Sequence, residues 1–187
     1  MKTNPKAAWN PDRLDVRAFA QAGAQLEAEE ALAAFKRLHA ETALDDGASG
    51  NVQWRAQGEM RPGATEGALA VWLHLEAQTR VPLTCQRCLG VVETPLTVDR
   101  WFRFVADEAA AEAEDDDCEE DLLALEPRPN LRDVLEDELL MELPLVPMHE
   151  VCPVSVRMQA ADPQVDTGDG DAPKNPFAAL AQLKKSN

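Results

Sequence analysis

The chain has no tyrosine, and its aromatic residues amount to only 5%. A buried core must therefore rest mainly on Leu, Val and Ala. Basic residues are scarce: 18 Lys and Arg stand against 34 Asp and Glu, for a formal net charge of −16. Nucleic-acid phosphates repel such a chain at long range, which argues against RNA binding spread over its whole surface. No apolar run approaches the ~18 residues of a membrane-spanning helix. The N-terminal MKTNPKAAWNPDRLD lacks the apolar centre of a signal peptide. The expected location is the cytoplasm, with no membrane partner. A Gly-rich phosphate loop, G-x-S-x-G and H-E-x-x-H are all missing. The expectation is a protein without enzymatic activity.

What charge there is, is unevenly placed. The run DEAAAEAEDDDCEED, Asp107 to Asp121, holds ten acids and no base. Its apolar content is too low to pack, so it reads as a disordered solvated loop, with a lure for a basic protein or an RNA mimic as the functional alternative. Arg80, Arg87, Arg100 and Arg103 form a local basic group, opposed between residues 80 and 103 only by Glu93 and Asp99. They are candidates for RNA or partner contact.

Residues 1–12 read as a flexible lead-in. Arg13 to Gly23 allows a short helix, and Ala31 to Glu41 places Leu32, Phe35 and Leu38 on one stripe of a second. Asp45 to Gly50 is a turn or loop. Period-two alternation then takes over, with Val52, Trp54 and Ala56 up to Gly58. It continues with Leu69, Val71, Leu73 and Leu75, and then with Leu96, Val98, Trp101, Phe102, Phe104 and Val105. These read as half-buried strands with antiparallel connections. Leu122, Leu123 and Leu125 suggest a short strand. Asn130 is a candidate N-cap for a helix over LRDVLEDELLMEL, with Leu131, Val134, Leu135, Leu139 and Leu143 on one face. Arg132, Asp133, Glu136 and Asp137 are expected to face water, and Pro144 ends the helix. The predicted fold is α+β: a curled antiparallel sheet, short N-terminal helices, and one packed helix near 130–143. A single domain spans 13–157. Residues 158–174 form a linker. The amphipathic tail 175–187 presents Phe177, Leu180 and Leu183 for docking on a partner or on its own domain.

Three groups of residues are candidates for chemistry. Cys85 and Cys88, in C-x-x-C, bring two sulfurs to one turn between strands. His149 and Cys152 offer a second pair, and the four together make a sensible tetrahedral zinc site. Two other readings stay open: the cysteines as small buried hydrophobes closing a β-turn, or a redox pair. Asp133, Glu136, Asp137, Glu138 and Glu142 are either a solvated helix face or magnesium ligands of a nuclease. The remaining histidines, His39 and His74, have no evident nucleophile partner.

Three strings, in order, carry a resemblance. LTCQRCL (Leu83 to Leu89) resembles the C-x-R-C turn of the YceD-like large ribosomal RNA accumulation family. LRDVLEDELLMELPLVPMH (Leu131 to His149) is similar to that family's helix and L-P-x-x-P-x-H segment. NPFAALAQLK (Asn175 to Lys184) resembles its C-terminal N-P-F-A-x-L-x-x-L-K. The resemblance spans about residues 13–185. It implies a non-enzymatic ribosome biogenesis factor supporting synthesis, processing or stability of large-subunit (23S) ribosomal RNA. The expected partners are ribosomal proteins, rRNA-processing factors or a pre-50S particle, with direct rRNA contact through the four arginines as a rival. A metal-dependent RNA hydrolase and a zinc-stabilised RNA-binding module are the alternatives.

Overall fold

Alternation is what builds the sheet. In a strand, successive side chains point to opposite faces. Val71, Leu73, Leu75, Ala77, Val81 and Leu83 are all buried, while the even-numbered residues between them, Pro82 apart, stay partly or fully exposed. The computed structural model describes residues 9–43, 50–63, 68–115, 118 and 120–154. The linker 158–174 and the tail with Phe177, Leu180 and Leu183 lie outside the described residues.

Five strands form one open, curled sheet in the order β1-β2-β3-β4-β5. They are β1 (Gln25–Ala31), β2 (Asn51–Pro62), β3 (Leu69–Thr84), β4 (Val91–Val105) and β5 (Asp121–Ala124). The first three pairings are antiparallel. The last, β4 with β5, is parallel, where an antiparallel sheet was expected. A parallel neighbour needs a crossover of about a dozen residues or more, and the acidic connection 106–120 supplies one. Part of that connection, Glu108–Glu114, is a helix, α3, capped by Asp107 accepting from the Ala110 N–H. Over those seven residues a helix stands where a disordered loop was expected. Its alanines favour helix, and an acid in the first turn suits the helix dipole.

Strand β1 was also unforeseen. Gln, Leu, Glu and Ala favour helix, yet Leu26, Ala28 and Glu30 pair with Ala56, Trp54 and Val52. Tertiary pairing overrides propensity here. The stripe Leu32, Phe35 and Leu38 is buried as expected. It is carried by a 3-10 turn (Leu32–Ala34) and a short helix, α2 (Lys36–Ala40). Helix α1 (Val16–Gln21) is capped by Asp15. Gly58 does not end a strand: β2 runs through it to Pro62, and α1 packs directly against it.

Helix α4 (Leu131–Met141) starts at Asn130, whose side chain accepts from the Arg132 N–H. Leu131, Leu135 and Leu139 are buried against the sheet, and Val134 and Leu143 pack at its edge. The expected water-facing side is not all solvated. Glu136 is buried and accepts from the backbone N–H groups of Arg37 (2.7 Å) and Leu38 (3.2 Å) at the start of α2. It also pairs with the Arg37 side chain at 3.0 Å. Arg132 likewise turns inward, to Glu30 at 2.9 Å. The start of a short helix far away in sequence leaves backbone donors that Glu136 satisfies. Glu136→Ala is expected to cost about 2 kcal/mol, because the Leu38 N–H is left buried without an acceptor. Urea denaturation checks this, and Glu136→Gln should retain part of the loss.

Candidate metal centre

The turn between β3 and β4 is set by two backbone bonds. The Cys85 N–H donates to the Gly90 carbonyl at 2.9 Å, and the Leu89 N–H to the Cys85 carbonyl at 2.8 Å. Leu89 takes the left-handed conformation, φ 60°, which closes so short a loop. The arrangement turns both sulfurs of Cys85 and Cys88 the same way. A second segment comes from beyond α4. The Gln86 N–H donates to the Pro147 carbonyl at 2.9 Å, pinning residues 147–152 against the turn and delivering His149 and Cys152.

The four donor atoms of Cys85, Cys88, His149 and Cys152 all lie within 4.8 Å of one another. Cys88 Sγ is 3.4 Å from His149 Nδ1. A tetrahedral ion with metal–sulfur bonds of ~2.3 Å requires donor separations of roughly 3.8 Å, so the cluster is near the right size. The imidazole is also oriented for it. His149 Nε2 lies 3.0 Å from the Val91 carbonyl, and since a carbonyl only accepts, Nε2 carries the proton. The Nδ1 lone pair is then free to face the sulfurs, the outer-shell arrangement typical of metal-bound histidine.

Electrostatics favour at least one thiolate. Burial raises the Cys85 thiol, but N–H groups of His149, Cys88 and Arg87 directed at the sulfur prevail and bring it down to about 5. Cys152 moves the other way, raised by burial and by hydrogen bonding and charge from Cys88 and Cys85. Three thiolates so close together would repel one another, and a bound cation would offset that repulsion. The cluster can hold a metal ion, and four protein donors fill a tetrahedron with no position left for substrate. Cys85 is fully buried, as the small-hydrophobe reading required, but Cys88 and Cys152 are only half-buried. Strands flank the turn on both sides, unlike a C-x-x-C that opens a helix.

The arginines are not brought together. Arg100 lies on the face of β4 that meets α4, with Glu138 at 3.5 Å and Glu142 at 3.6 Å. Arg103 points to the opposite face, 2.9 Å from Glu114. Arg80 and Arg87 are exposed, Arg80 in β3 and Arg87 in the turn between β3 and β4. The helix carboxylates do not gather at one point either: Glu138 and Glu142 share Arg100, whereas Glu136 and Asp137 share Arg37. Glu136 faces α2, and Glu138 faces Arg100, its carboxyl pushed up by burial against the pull of that arginine.

One group was not anticipated. On the sheet face away from the core, His74 stacks on Trp101 at 4.2 Å with planes 1° apart, and Arg61 lies over Trp101 at 3.6 Å. The only sequence sign was that Trp72 and His74 alternate out of phase with Leu73 and Leu75. The pairing of His74 with Trp101 is a matter of register, which short-range patterns do not carry.

No curated protein and no solved structure matches the chain. The family model described as large ribosomal RNA subunit accumulation protein YceD matches residues 73–184.

Proposed function

This chain belongs to the YceD family of large ribosomal RNA subunit accumulation proteins, and on that premise we propose that it is a non-enzymatic assembly factor for the large ribosomal subunit, built around a structural zinc ion. The observation that carries the reading is the closed Cys3His cluster, which lies wholly inside the matched span. Sulfur-rich tetrahedral donor sets suit zinc. With all four positions taken by protein, the ion's work is to hold segment 147–152 on the β3–β4 turn. The protein then acts by binding. A net charge of −16 complements basic ribosomal proteins better than RNA, so the partners are ribosomal proteins, rRNA-processing factors or the pre-50S particle. The place of action is the cytoplasm; no described helix is long and apolar enough to cross a membrane. The rival hydrolase would need its α4 carboxylates, but Glu136 and Glu138 are engaged by Arg37 and Arg100.

Sucrose-gradient sedimentation of lysate, with immunoblotting and rRNA analysis of a deletion strain, tests this. Co-migration with a pre-50S particle and depletion of 23S rRNA on deletion are expected. Free protein at the top of the gradient with normal rRNA would overturn the reading. RNA cleavage by the purified chain that stops in EDTA would replace it with the hydrolase.

A further inference from the structure

The sheet face turned away from α1 and α4 has its own chemistry. Side chains from four strands line a shallow groove of about 570 Å³, where Glu27, Glu29, Glu76 and Asp99 surround a single base, Arg55. Arg55 is already paired with Glu76. Glu27, Glu29 and Asp99 are exposed. Among the described residues no Lys or Arg pairs with them, but Glu29 accepts from the Asn51 and Gln53 amides and Asp99 lies 2.7 Å from His74 Nε2, a contact that an incoming arginine would share or displace. The groove therefore keeps a surplus of negative charge.

Beside it is a surface made for guanidinium. Trp101 follows Asp99 on the same face of β4, two residues or ~7 Å along the strand. The Arg61 guanidinium lies 3.6 Å from the Trp101 ring centroid and 4.9 Å from that of Trp72. Stacking of this kind suits arginine better than lysine. The Trp72 Nε1 is buried in the same cluster without an acceptor. Glu27, Arg55, Glu76 and Asp99 stand in register across β1 to β4, so three strand spacings of ~4.8 Å separate Glu27 from Asp99, close to the reach of four residues of an extended peptide laid across the strands.

We propose that this face docks an extended, arginine-rich segment of a partner protein, with arginines paired to Glu27 and Asp99 and one stacked at Trp101 in place of Arg61. The proposal rests on the reading of the chain as a protein-binding assembly factor and gives that reading a surface. RNA is the poorer occupant, since its phosphates would meet the same carboxylates.

Titration of the full chain with a short synthetic peptide of alternating Arg and Ser, read by tryptophan fluorescence and calorimetry, tests the proposal. Saturable binding that weakens with salt is expected. Glu27→Lys combined with Asp99→Lys should weaken it about tenfold or more, and Glu27→Lys alone, at an exposed edge position, should weaken it measurably. Replacing Arg by Lys in the peptide should weaken binding, and Trp101→Leu should remove that preference. Equal loss from Glu108→Lys combined with Glu112→Lys on α3, the same change in net charge, would overturn the proposal as unspecific attraction. So would competition by an RNA oligonucleotide for this face. Particle co-migration retained by the Glu27→Lys, Asp99→Lys chain would overturn the groove while keeping the assembly role. Peptide binding at the groove by a chain whose deletion leaves rRNA normal would do the reverse.

Discussion

Purified full-length chain should carry about one zinc ion, and Cys85→Ser should lose it. Outer-shell substitutions alone cost ~10–100-fold in metal affinity, so deleting a ligand should cost more than about a hundredfold. Metal analysis and displacement into a chromogenic chelator measure both. The effect on stability follows from linkage. An ion that binds only the folded state at a thousandfold excess over its Kd contributes about 4 kcal/mol. For a chain of this size that is a Tm drop of roughly 10 °C on chelation. The chain should not unfold outright as a small zinc finger does, because its main core, around Phe19, Leu75 and Leu135, lies in the sheet and helices. Loss should start locally: the Gln86 N–H, held by the Pro147 carbonyl, should exchange faster without metal. Cys118 lies outside the cluster, so Cys118→Ser should keep the ion. Equal zinc content in the Cys85→Ser and unaltered chains would dismiss the site.

How much of this was legible in the sequence depends on the range of the interaction. The donors Cys85 and Cys88 sit at a spacing that one turn dictates, and His149 and Cys152 repeat it. Their convergence could be guessed because two local pairs needed only one long-range contact. Helix α4 was legible for the same reason: Asn130 caps it, and Leu131, Leu135 and Leu139 follow the helical period. Strand β1 was not, since Glu27, Glu29 and Glu30 speak for helix until β2 lies beside them. Glu136 looked like solvent-facing charge because its partners, at Arg37 and Leu38, are nearly a hundred residues away. Arg100 and Arg103 looked like one patch, but the odd spacing in a strand sends them to opposite faces. Local patterns record faces and turns; they are silent on which charge finds which.

Gly58 shows the same limit and has the largest consequence for packing. In sequence it resembles a strand end. In the fold it is the point where α1 approaches β2 closely enough to exclude a side chain. A Cβ there would lie 2.6 Å from Phe19 Cδ1 and 2.8 Å from the backbone Cα and N of Ala20. The phenyl ring alone can yield by rotating, but the Ala20 backbone yields only if α1 moves. Phe19 is fully buried, so moving α1 opens the core on that side. The Gly58 N–H also donates to the Ala24 carbonyl at 3.0 Å, tying the end of α1 to the same point. Gly58→Val should therefore cost about 3 kcal/mol, the upper end of overpacking penalties, and lower Tm by roughly 10 °C. Phe19→Leu in the same chain should recover little, because the Ala20 backbone contact remains. Urea denaturation of the single and double variants decides between the two contacts. Full rescue by Phe19→Leu would show that the ring, and not the approach of the helix backbone, is what demands glycine.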